Sequence, residues 1–413
     1  MSKKTFVFFI VVLLLVLGLI GWHFFVRTAA EPSIDFGPSE SSDLFPFGER
    51  PADNGSGGLV TQPTDDEGNA IVDLGGGAAE IIPQLRQVSA VPTAGAVAYD
   101  IGSTTVIRYM ERATGHIYET QSDTMASRKL SNVTMPKVYE AIWAEDGGRL
   151  LVRYMKDDGS AIRTFYARIA TTTAPEKAIE GIFLADGIRE VSLRGNKAFY
   201  FSETANGAQG ILANIDGSAK VSVFNSSFGD WRSSLASPVY AAIFTRPSGT
   251  TEGSAYILST SNGAYAKVVG GLPGLVALAN ADGSRVLVSA VQNNSLNTFI
   301  YDSKGVAGAP IGLSTIADKC VWSGDDRNIV FCAVPRSVPN AVLPDDWYKG
   351  KISFNDSVWR IDAVSGETDN LFDPELEAGI SMDIIGLRLD QDEEILIFTN
   401  KKDMTVWAYR LEE

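Results

Sequence analysis

Few side chains in this sequence could perform chemistry, and their spacing narrows the options further. Two histidines occur among 413 residues, His23 in an apolar N-terminal segment and His116 beyond it. Nucleophilic hydrolysis needs a base beside a serine or cysteine, and the chain has no Gly-x-Ser-x-Gly elbow. His116 lies in Ala113-Thr114-Gly115-His116-Ile117-Tyr118, which reads as a turn entering a strand and gives it a structural role. Zinc would require several His or Cys ligands. EF-hand spacing is missing, and no Gly-rich loop precedes a helix where phosphates could rest. No metal or other cofactor is therefore expected. Carboxylates are the exception: glycosidases need only two, close together, and the 50 acidic residues leave open that some converge.

Cys320 and Cys332, the two cysteines, fall on consecutive predicted strands whose turn is near Gly324 to Arg327. Counting outward from the turn sets them opposite each other. In an exported domain a cross-strand disulfide is expected. Two buried thiols are the alternative, because adjacent strands do not always meet the geometry. Between Cys332 and Trp359 about 25 residues stand where other units have a short turn. They include Pro335, Pro339 and Pro344, and a candidate binding surface of Asp345, Asp346, Trp347, Tyr348, Phe354 and Asp356. Large aromatics beside acids on a long loop suit recognition. The same aromatics could instead fold back as a small satellite core. Trp231, in Gly229-Asp230-Trp231-Arg232, is a weaker candidate of the same kind.

The elements that must position these residues emerge along the chain. Phe6 to Trp22 is a run without charged or strongly polar side chains, long enough to cross a bilayer as a helix. Lys3 and Lys4 precede it and Arg27 follows, so the positive-inside tendency keeps the N-terminus cytoplasmic and exports the rest. Residues 1–27 thus read as cytoplasmic tip and transmembrane signal anchor; Thr28-Ala29-Ala30 leaves cleavage open. Residues 28–83, rich in Gly, Pro, Ser, Asp and Glu, read as a disordered linker. As a random coil it would span about 40 Å. Leu44-Phe45-Pro46-Phe47-Gly48 is an apolar island within it. Beyond Arg27 the chain carries 32 basic against 50 acidic residues, a net of −18. Such a surface repels phosphate backbones, so no nucleic-acid partner is expected.

From residue 84 onward the sequence repeats. Ala141-Ile142-Trp143-Ala144-Glu145-Asp146-Gly147 leads into Arg149-Leu150-Leu151-Val152, and Val276 to Gly283 leads into Arg285-Val286-Leu287-Val288. Cys320-Val321-Trp322-Ser323-Gly324-Asp325 leads into Asn328-Ile329-Val330-Phe331, and Ile385 to Asp390 leads into Glu394-Ile395-Leu396-Ile397. Looser copies begin near Ala96, Val191 and Tyr240. Seven units recur at about 48 residues, close to a four-stranded propeller blade. Asp-Gly pairs supply the positive φ that tight hairpins need. The last unit has three strands, and Leu85-Arg86-Gln87-Val88-Ser89 reads as its missing outer strand. That pairing closes the ring and hides two sheet edges. The expectation is all-β: a single seven-bladed β-propeller over 84–413.

The inner-strand pattern around Trp143 and Trp322, followed by an acidic turn, resembles the TolB/WD40-like class of bacterial β-propellers. Ala144-Glu145 stands where that class has Ser-Pro, and Ser323-Gly324 keeps only the Ser. The layout is similar to membrane-anchored propellers of uncharacterised function. The class includes scaffolds, partner-binding modules and caps on peptidases. The resemblance supplies no ligand, but the tether, the single anchor and the missing catalytic groups lead to the expectation of a non-enzymatic, extracytoplasmic, single-pass membrane protein binding an envelope protein or glycan. The alternative is an extracytoplasmic carbohydrate-active enzyme using paired carboxylates.

Overall fold

The computed structural model describes residues 82–411 apart from 157, 158, 160 and 171–177. The expected anchor and nearly all of the linker, with His23 and the apolar island, lie outside the described residues. Among the described residues no helix is long and apolar enough to cross a membrane.

Seven antiparallel sheets follow one another along the chain as the blades of a propeller. Their inner strands are Thr93–Ile101, Val138–Trp143, Ile188–Arg194, Trp231–Ser237, Val276–Ala279, Cys320–Trp322 and Ile384–Leu389. Blade seven is completed from the N-terminal side. Leu85–Gln87 pairs with Thr405–Arg410, in the register Leu85 opposite Tyr409 and Gln87 opposite Trp407. The ring closes as the sequence predicts.

Blade five departs from the four-strand expectation and has three strands. Residues 303–316 cover its outer edge without forming a ladder. They make one bridge, Tyr301 to Ala307, and Thr315 exchanges hydrogen bonds with Thr298. Gly305, Gly308, Pro310 and Gly312 fall in this stretch, and such residues interrupt strand pairing.

The repeated tryptophans have a definite task. Trp143 Nε1 donates to the Gly95 carbonyl of the preceding blade, and Trp322 Nε1 donates to the Leu278 carbonyl. Each indole thus buries its ring between blades while satisfying its only donor. The turn glycines form a second such device. Gly147 at φ +63° and Gly283 at φ +68° receive the rings of Tyr99 and Tyr240 from the blades before them. A Cβ at Gly147 would lie 2.2 Å from the Tyr99 ring. We therefore expect Gly147→Ala to lower stability by about 1–3 kcal/mol, through overpacking and unfavourable φ together. Equilibrium urea unfolding reads this. An unchanged midpoint would remove the inter-blade role of that turn.

Candidate binding channel

The seven inner strands surround an axial cavity of about 1090 Å³. Its width follows from sequence: Ala94, Gly95 and Ala96 of blade one and Ser234, Ala236 and Ser237 of blade four line it with small side chains. Charged residues reach into it from four other blades. Most carry a partner. Glu140 pairs with Arg153 at 3.0 Å, and Glu145 pairs with Arg194 at 2.7 Å. Glu393 accepts the Ser323 hydroxyl at 2.7 Å and also binds the Gly324 amide.

Arg388 differs. It projects from the inner strand of blade seven and donates through Nη1 to the Trp143 carbonyl at 3.2 Å. Among the described residues it has no carboxylate at ion-pair distance, and it lines the cavity. Burial, followed by the charge of Arg194, holds its pKa below the ordinary arginine value. It is nonetheless a cation, since no protein arginine loses its proton near neutrality. One guanidinium with spare donors therefore faces the channel.

Asp390, two residues on, lines the same cavity but is largely enclosed. It accepts the Thr105 hydroxyl at 3.0 Å and the Ile395 amide at 3.0 Å. Burial lifts its carboxyl from 3.8 to about 6. A raised acid favours the folded state when protonated. Its stabilising contribution is complete below about pH 4 and is lost as pH climbs through about 6. Asp390→Asn should therefore gain on wild type by about 2 kcal/mol between pH 4 and pH 7. Parallel chemical denaturation at both pH values tests this, and a difference independent of pH would contradict it.

The six loop residues expected to form one surface are divided by the structure. Trp347 is 3% exposed, Phe354 2% and Asp356 0%, so these three present nothing to a partner. Trp347 and Phe354 stack on each other, and Trp347 Nε1 donates to the buried Asp383 at 2.9 Å. The loop is anchored because its apolar rings outweigh its charges. Asp345 is tied to the Gly249 amide at 2.7 Å, and Asp346 to Lys351 at 2.8 Å. Tyr348 alone remains outward, 36% exposed and on the channel lining. Its hydroxyl donates to Asp318, and Arg232 stands over its ring at 5.3 Å. Surrounding protein, with Asp318, raises the Tyr348 pKa well above its ordinary value, so the phenol stays neutral.

Trp231 is also buried, packed against Phe201, Phe224 and Tyr256, with Nε1 donating to the Phe228 carbonyl at 2.9 Å. It belongs to the core of blades three and four. Half-buried His116 faces Thr134 at 3.4 Å. Cys320 and Cys332 are direct cross-strand partners joined by a disulfide. Among the described residues no His, Cys, Asp and Glu side chains group as a metal site.

No family model matches the chain, and no curated protein matches it. Similar solved structures are propeller-bearing proteins at low identity. Tricorn protease is 8% identical, with 81% of this chain and 35% of that chain covered, at a TM-score of 0.49. TolB from Acinetobacter baumannii is 11% identical, covering 62% and 59% of the two chains at 0.39. The β-propeller domain of the Trilobed protease from Pyrococcus furiosus is 12% identical, covering 76% and 93% at 0.44. The chain thus spans about a third of tricorn protease and under two thirds of TolB. Its architecture is that of a seven-bladed β-propeller with TolB among its structural neighbours.

Proposed function

We propose that this chain is a non-catalytic binding module, displayed outside the cytoplasm from an N-terminal membrane anchor. Its axial channel receives a carboxylate-bearing end of a protein or glycan. One observation carries the reading: Arg388 lines an open cavity with a single backbone acceptor and no carboxylate partner among the described residues. An arginine so placed binds a carboxylate through parallel charge-assisted hydrogen bonds. The acidic exterior does not oppose this, because charges beyond a Debye length are screened while those inside the channel are not.

The test is binding of the wild-type chain to peptides with free C-termini and to uronic-acid glycans. Any ligand should weaken about 30- to 100-fold with Arg388→Gln, the loss of one charge-assisted pair. Amidating or esterifying its carboxylate should do the same. Ligands indifferent to both changes would sink the reading.

The carbohydrate-active alternative rests on Asp390, whose raised carboxyl is what a general acid requires. Release of sugar from cell-wall polysaccharide, abolished by Asp390→Asn, would replace the binding reading with that one.

A further inference from the structure

The geometry points to an intramolecular isopeptide bond between Lys319 Nζ and the Asp356 side chain, formed with Asp383 as the proton acceptor. Nothing in the channel's function requires it. It follows from one cluster beneath the long loop of blade six.

Lys319 is fully buried, as are Asp356 and Asp383. Its ammonium lies 2.8 Å from Asp356 Oδ2 and 2.6 Å from Asp383 Oδ1. The rings of Trp347 and Phe354 flank it, each with its centroid 5.0 Å from Nζ. An amine and a carboxyl held in contact and shielded from water have a very high effective concentration. Condensation to a neutral amide also removes an ion pair from a setting where desolvation opposes both charges.

The two oxygens of Asp356 are not equivalent. Oδ2 accepts the Ile384 amide at 2.6 Å, while Oδ1 is buried without a partner. The first is therefore held by an N–H that can stabilise a developing oxyanion. The second is left as the leaving oxygen. Burial raises the Asp356 carboxyl above its ordinary value, which favours the neutral acid that an amine can attack. Burial also pushes Asp383 upward, but Lys319 and the donors from Phe354 and Trp347 pull it below the usual range. Asp383 is thus ionised, and its Oδ1 lies 2.6 Å from the ammonium whose proton it would take as the N–C bond forms.

The step balances without any further reactant. Asp383 accepts a proton from the Lys319 ammonium, and the free amine attacks Cγ of protonated Asp356. The N–C bond forms, the nitrogen gives its surplus proton to the Oδ1 hydroxyl on the same carbon, and the C–O bond breaks to release water, while Asp383 keeps the proton it took. The products are one amide, one water and protonated Asp383.

Denaturing intact-mass measurement of the full chain tests this. The wild type should be lighter than its disulfide-bonded sequence by one water. A digest should yield a branched peptide joining Lys319 to Asp356, which separates the bond from succinimide formation elsewhere. Asp383→Asn should run at its full sequence mass, and so should Lys319→Met. The branched peptide decides independently of how well either variant folds. A wild-type chain at full mass, with Lys319 recovered in a linear peptide, would overturn the bond. Equal cross-linking in Asp383→Asn would overturn the part given to Asp383.

Discussion

Lys319→Met is expected to destabilise the propeller by about 3–5 kcal/mol relative to the chain with Lys319 and Asp356 unlinked, the range for removing one member of a buried ionic cluster, and a Lys319–Asp356 amide in wild type would add to the loss. Among the described residues, Lys319 is the one cation in contact with both Asp356 and Asp383. Without it, two carboxyls remain enclosed, and Trp347 and Phe354 lose the group they pack around. Asp356 can escape by protonation. Asp383 keeps its Phe354, Trp347 and Ser353 donors and stays charged. Guanidinium unfolding of wild type, Lys319→Met and Lys319→Met/Asp356→Asn measures this. The double variant should recover part of the loss, since an amide facing the Ile384 N–H needs no counter-charge. Equal stability of Lys319→Met and wild type would mean that the cluster does not hold blade six together.

The second large effect is expected in the same blade. Cys332→Ser should cost about 3 kcal/mol, on the chain-entropy model for a loop of this length. The disulfide closes a separation of 12 residues. Cys332 is fully buried on the central strand Ile329–Pro335, so the orphaned thiol of Cys320 and the new hydroxyl both sit in apolar surroundings. Thermal unfolding with and without reductant separates the contributions. Wild type under reducing conditions should approach the variant. A wild type unaffected by reductant would show that the bond adds no stability.

Much of this fold is written locally in the sequence. Asp-Gly turns, alternating apolar strands and spaced tryptophans each fix one hairpin or one inter-blade contact, so Trp143 and Trp322 could be read before any contact was known. Closure was legible for the same reason: Leu85–Gln87 is a strand with no neighbour of its own. Blade five was misjudged because its unit looks regular through Tyr301. Only the Gly- and Pro-bearing stretch after it shows that no fourth strand forms.

The site was far less legible. Trp347, Phe354 and Asp356 share a loop with exposed residues, and only packing against Lys319 and Asp383 decides that they turn inward. Lys319 itself carries no local signal, since a lysine before a strand ordinarily lies at the surface. Arg388 did leave a trace. It stands within Ile385-Gly386-Leu387-Arg388-Leu389, a charged residue on an inner strand, where a side chain must meet the axis. Arg194 in Val191-Ser192-Leu193-Arg194 repeats the pattern. Reading those charges against the repeat would have directed attention to the channel before the loop.

The most direct test of the channel as a binding site uses the full chain in the cells that produce it. Cross-linking in place, followed by affinity capture and identification of the product, would compare wild type, Arg388→Gln and the outer-surface control Leu376→Ser. The account predicts one carboxylate-bearing partner held by wild type and by the control, and lost from Arg388→Gln. Equal retention of that partner by all three would contradict it.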